Sequence, residues 1–105
     1  MIISIDIRKG TASIDEQDIF TAFHVRSSTK DESLVAAAVE DLAIPGDDSH
    51  VWVSIEWVIA NTPESISDEW EKSFLGMVEY AASKGWVNQP GTHLKAHIEI
   101  DDEVN

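Results

Sequence analysis

A chain of 105 residues with 20 acidic and 7 basic side chains carries a formal charge of −13 at pH 7. Such a charge repels phosphate backbones and anionic lipid, which argues against direct nucleic-acid or membrane-surface binding. The length suits one domain with one core, and the absence of cysteine removes both disulfides and thiolate chemistry.

In chain order, residues 2–8 are predicted as a strand, with Ile3, Ile5 and Ile7 on one face and Ser4, Asp6 and Arg8 on the other. Lys9-Gly10-Thr11 reads as a turn. Ser13-Ile14-Asp15-Glu16 matches a capping box that suits a short helix. The segment from Ile19 to Arg26 is rich in β-formers and alternates, which predicts a strand antiparallel to the first, with Phe20, Ala22, His24 and Arg26 on one side. Should residues 14–23 be helical instead, a different small α+β arrangement follows.

Thr29-Lys30-Asp31-Glu32 is a clearer capping box. It opens a helix to about Ala43 whose stripe is Leu34, Val35, Ala38, Val39 and Leu42. Pro45-Gly46 ends this stretch, and residues 46–49 form an exposed loop. His50 to Ile59 is predicted as a strand. In it Val51, Val53, Ile55 and Trp57 face one way, and Trp52, Ser54, Glu56 and Val58 the other. Asn61-Thr62-Pro63 terminates it.

A long helix is predicted from about Ser67 to Lys84, capped by Ser67, with Trp70, Phe74, Met77, Val78 and Ala81 as its apolar stripe. Gly85 suits the left-handed position after it, and Trp86 can pack back on the last turn. The last strand spans His93 to Ile100, with Leu94, Ala96, Ile98 and Ile100 inward and His93, Lys95, His97 and Glu99 outward. Residues 101–105 read as a frayed acidic tail.

The order β-β-α-β-α-β implies an α+β two-layer sandwich in a single domain, residues 1–105. A four-stranded, mostly antiparallel or mixed sheet carries two helices on one face. The N-terminal residues lack the basic region and apolar run of a signal peptide. No stretch approaches the ~20 apolar residues of a membrane span. A cytoplasmic location is therefore expected.

Two helices cover only one side of such a sheet. Alternation assigns Phe20, His24, Arg26, Trp52, Glu56 and His97 to the other side, as candidate binding residues. Aromatics on a polar sheet face suit a protein contact. Trp52 and Trp57 are five residues apart, so a regular strand points them to opposite faces.

The sequence carries no catalytic constellation. It has no nucleophile elbow, no glycine-rich phosphate loop and no dinucleotide fingerprint, and no cofactor is expected. His93 and His97 have the i,i+4 spacing of helical zinc ligands, but on a strand four residues span roughly 13 Å, too far for one ion. A metal site would need His24 or His50 from a neighbouring strand beside one of them. Gly46-Asp47-Asp48-Ser49 lacks the ligand spacing of a calcium loop. Glu56, beside Trp57, would be a general acid only if buried; a solvent-facing charge is the simpler reading.

Three roles compete. The first is a non-enzymatic interaction domain that holds a protein partner, basic ones being favoured by charge, or a second copy of itself as a homodimer. The second is a small enzyme or ligand-binding protein with a site at the sheet face or dimer seam, built from His24, His97, Glu56 and Trp52. The third is a nucleic-acid mimic or toxin-neutralising protein. In size, acidity and lack of cysteine the chain resembles immunity and antitoxin proteins that neutralise basic toxins, a likeness of style without a motif.

Overall fold

Alternating apolar residues build a six-stranded mixed sheet. The computed structural model describes residues 1–62 and 67–100. Its strands are β1 (Ile2–Asp6), β2 (Thr11–Asp15), β3 (His24–Ser27), β4 (Ala43–Pro45), β5 (His50–Ser54) and β6 (His93–Ile100). Its helices are α1 (Glu32–Ala38), α2 (Ile55–Ala60) and α3 (Asp68–Ser83). The strands lie side by side as β2-β1-β3-β6-β5-β4. The central β1, β3 and β6 run parallel, and the outer pairings are antiparallel. The α+β class matches the sequence reading.

One face of this sheet is apolar across its width. Ile3, Val25 and Ile98 align across β1, β3 and β6, while Val51 and Val53 pair with Ala96 and Leu94. These residues form one continuous core with Val35 and Val39 from the α1 segment, Val58 from α2, and Trp70, Phe74 and Ala81 from α3. All three helices therefore cover the same side. Trp70 anchors the layer. Its ring stacks on Phe74 at 5.0 Å, meets the edge of Phe20 at 5.9 Å, and its indole N–H donates to the Gln17 carbonyl at 2.9 Å. The Met1 amine donates to the carbonyls of Ile19 and Ala22, which ties the 16–23 segment to β1.

Several elements depart from the sequence reading. Among the described residues the sheet has six strands rather than the expected four, and it is accompanied by three helices rather than two. The Ser13–Glu16 capping pattern is strand β2, ended by Glu16 at φ +52°. Residues 19–23 lie outside any strand, and β3 runs parallel to β1, not antiparallel. Helix α1 is shorter at both ends than expected. Its cap is Asp31, which accepts from the Leu34 amide at 3.1 Å, and it stops at Ala38 because Val39 leaves helical angles at φ −137°, ψ 62°. Leu34, expected in the core, is exposed, and Leu42 and Ala43 enter the core from beyond the helix.

The largest difference lies at 55–59. The expected long strand stops at Ser54, whose hydroxyl accepts from the Trp57 amide at 3.1 Å and starts α2. Val58 is thereby fully buried, and Ile55 and Ile59 pack beside it. Val58 and Glu56 leave the sheet altogether. Pro63, read as the terminator, lies outside the described residues, as does the 101–105 tail.

Helix α3 follows its prediction closely. Ser67 caps it, and Gly85 at φ +78° closes it. The Trp86 and Gly85 amides donate to Ala81 and Ala82, the paired bonds of a Schellman end. Trp86 stays exposed and meets Tyr80 edge-on at 6.3 Å. Among the described residues no helix is long and apolar enough to cross a membrane.

The abrupt change from β5 to α2 rests on one hydroxyl. Ser54→Ala should lower stability by about 1 kcal/mol, read as a lower urea midpoint with an unchanged slope.

Candidate functional site

Among the described residues the sheet's other face carries no helix, and the strand register organises its side chains into rows. One row runs Asp15, Ile2, His24, His97, His50 across β2, β1, β3, β6 and β5. Beside it runs Ser13, Ser4, Arg26, Glu99. On the other flank Lys95 pairs with Trp52, and Trp52 with Ile44. The far end is Ser54 opposite His93.

The contacts along these rows are polar. The His50 and His97 rings lie edge to face with centroids 5.3 Å apart. His50 Nδ1 sits 2.9 Å from the Asp48 carbonyl, an acceptor that places the ring proton on Nδ1 and leaves Nε2 free. His24 Nε2 is 3.1 Å from Glu99 Oε2. That nitrogen is buried and meets no acceptor with hydrogen-bond geometry, so the contact is a close approach without an aligned bond. Lys95 Nζ lies 3.4 Å from Asp47 and 6.0 Å from the centre of the Trp52 ring. Both are surface interactions of modest strength. Ser4 donates to Asp15 at 2.7 Å. His93 belongs to a separate cluster with Thr92, at 2.8 Å, and Asn88.

Charge is unevenly divided. Among the described residues, Asp6, Asp15 and Glu99 lie on this face by strand register, and Asp47 reaches Lys95 at its border. Arg26, Lys95 and all four histidines lie there too. The strand residues of this face carry three acidic against two basic side chains, a smaller imbalance than the chain's −13. Away from it, burial lowers the pKa of the Met1 amine, against the opposing charge of Glu16.

Of the six sequence-predicted residues, the structure brings His24, Arg26, Trp52 and His97 together on the open face. Trp52 is half-buried there, on the side away from all helices. Phe20 is a correction: it lies outside the strands and packs its ring against Trp70, on the core side. Glu56 is a second correction: the Ser54 cap turns the chain into α2, where Glu56 is exposed in the first turn. It therefore cannot join His24, His97 and Trp52 in one site. His50, Ile44 and Ile2 were not among the predicted residues. The parity that selects Trp52 also selects His50, but only the register shows that it sits beside His97.

Concave sites elsewhere are shallow. A depression of about 340 Å³ lies against Gly10, Ala12, Glu40, Asp41 and Trp57. A smaller one of about 110 Å³ lies between Phe20, Phe23, Tyr80 and Trp86. Neither contains His24, His97 or Trp52. Among the described residues no three histidine or carboxylate side chains, as they stand, share a position able to hold a metal ion. Comparison with known proteins finds no matching family model, no matching curated protein and no matching solved structure.

The turn that delivers His50 is strained. The His50 amide donates to Asp47, and the two residues between, Asp48 and Ser49, have φ of +50° and +62°. This is a type I′ hairpin turn, which favours glycine or asparagine at its centre. A left-handed non-glycine residue costs about 1–2 kcal/mol. The Ser49 contacts involve its backbone, with the amide donating to Glu32 at 3.0 Å and the carbonyl accepting from Ile98 at 2.7 Å. Glycine keeps both. Ser49→Gly should therefore stabilise the fold by about 0.5–1 kcal/mol after the greater freedom of unfolded glycine is set against it. Thermal melting should show a rise of about 3–6 °C.

Proposed function

We propose that this protein is a non-enzymatic interaction domain that pairs with a second copy of itself through the open sheet face. The observation that carries the reading is the division of charge. Two chains of charge −13 repel one another. That repulsion is least where acidic and basic side chains are most nearly matched, and the described strand residues of the open face, three acidic and two basic, come near to that. Trp52 and the adjacent exposed Ile44 supply an apolar anchor on it, and Lys95, Arg26, Asp15 and Glu99 supply charges of both signs for a self-complementary contact. Among the described residues the depressions seen are shallow and bring together none of His24, His97 and Trp52, which favours this reading over a catalytic one.

A second reading has its own observation. Most acidic residues lie off this face, and a basic protein partner would be drawn to that acidic side. Salt separates the two. Self-association through Trp52 and Ile44 persists as ionic strength rises, whereas an acidic–basic complex weakens.

Sedimentation at micromolar concentration tests the proposal. The wild type should sediment as a dimer between 50 mM and 500 mM salt. Trp52→Glu should sediment as a monomer with its circular dichroism unchanged. A wild-type monomer across the whole range, or a Trp52→Glu dimer as tight as the wild type, overturns the reading.

A further inference from the structure

We infer that the pairing proposed above, on which this rests, is switched off in mild acid by the histidine row of the open face, chiefly His97 and His50. His24, His97 and His50 stand opposite one another on β3, β6 and β5, so three imidazoles occupy adjacent strands at one level. Imidazole is the side chain whose ordinary titration, around pH 6.5, separates neutral from mildly acidic solution. At neutral pH the strand residues of the face set Asp6, Asp15 and Glu99 against Arg26 and Lys95. Protonating the row turns this surplus of one negative charge into a surplus of two positive charges. Two copies brought face to face then present like-charged surfaces inside a contact that excludes water.

The surroundings of each ring decide where the switch sits. His24 Nε2 lies 3.1 Å from Glu99 Oε2, so a proton on it gains a carboxylate. Arg26, on β3, stands opposite that same Glu99. Lys95, on β6, has Asp47 at 3.4 Å, and Asp15, at the far edge, accepts from Ser4. Among the described residues no ion pair joins a carboxylate to His97 or His50. Those two rings meet each other edge to face at 5.3 Å, as neutral aromatic rings pack. The Asp48 carbonyl, 2.9 Å from His50 Nδ1, holds one of them in place. Protonating both sets two cations side by side, between Lys95 and His24. Acid also lowers the overall charge, which works the other way. The four histidines offset under a third of −13, however, and that long-range repulsion is screened beyond about 8 Å at physiological salt. Charges inside the contact are screened far less, so they set the sign. A ring kept neutral in the pair and free to protonate in the single chain stabilises the pair fully at neutral pH, and this is lost as the pH falls. For one such ring of ordinary basicity per copy, association weakens about 100-fold between pH 7.5 and pH 5.5.

Sedimentation of the full chain at these two pH values tests the switch, with circular dichroism to verify that the fold persists at both. The wild type should be a dimer at pH 7.5 and should bind itself about 100-fold more weakly at pH 5.5. His50→Gln/His97→Gln should pair at both, within about threefold, whereas His93→Gln should respond as the wild type does. A second measurement needs no variant. Dilution calorimetry of the wild type at pH 6.5, in two buffers of different ionisation enthalpy, should register protons taken up as the pair separates. A dimer equally tight at both pH values, separation without proton uptake, or a double variant as acid-sensitive as the wild type overturns the switch and leaves the pairing standing. A wild-type monomer at pH 7.5 overturns the pairing, and the switch with it.

Discussion

The sheet sends its apolar side chains into a single layer, and all three helices close over that layer. Ile3, Val25, Ile98, Val51 and Val53 have essentially no exposure because the α1 segment, α2 and α3 lie on them together. This one-sided burial fixes the register. A slip of one residue in β6 would move Leu94, Ala96 and Ile98 into water and carry the outward histidines and Lys95 into the core. The arrangement of the open face is therefore a by-product of the core: His24, His97 and His50 share a level because the residues beside them in sequence must share one on the other side.

Where the sequence offered one unambiguous period, its reading agrees with the structure. Helix α3 shows this best, with Ser67 at its start, the stripe of Trp70, Phe74 and Ala81, and Gly85 at its end. Strands β1 and β6 are similarly legible because isoleucine, leucine and alanine alternate with polar residues, with two corrections: β1 ends at Asp6 rather than Arg8, and Ile100, read as inward, is exposed. The segment 55–59 fits two periods at once. Ile55, Trp57 and Ile59 alternate as in a strand, while Ile55, Val58, Ile59 and Thr62 have the spacing of a helix face. The conflict is settled by Ser54, a hydroxyl well placed to cap, and by the core space that Val58 fills. Strands β2 and β4 were hidden for another reason. β4 is three residues long and β2 resembles a helix start, and each is stabilised by pairing with a neighbour distant from any local signal.

The same division applies to the open face. Parity along each strand separately identifies His24, Arg26, Trp52 and His97. It cannot say which strand lies beside which, and the parallel placement of β3 between β1 and β6 is a long-range outcome. The histidine row depends on that placement. Phe20 and Glu56 were misassigned because each was placed by counting along a strand that the chain had not yet begun or had already left.

The two borders of the sheet limit how copies of this chain can meet. At one border, β4 is only three residues long and ends in Pro45, which has no amide hydrogen to offer an incoming strand. At the other, β2 ends in Asp15 and then Glu16, where the backbone swings out of extended geometry. Neither border is a good template for continuing the hydrogen-bond ladder. The molecule is thus guarded against open-ended polymer growth along the plane of its strands.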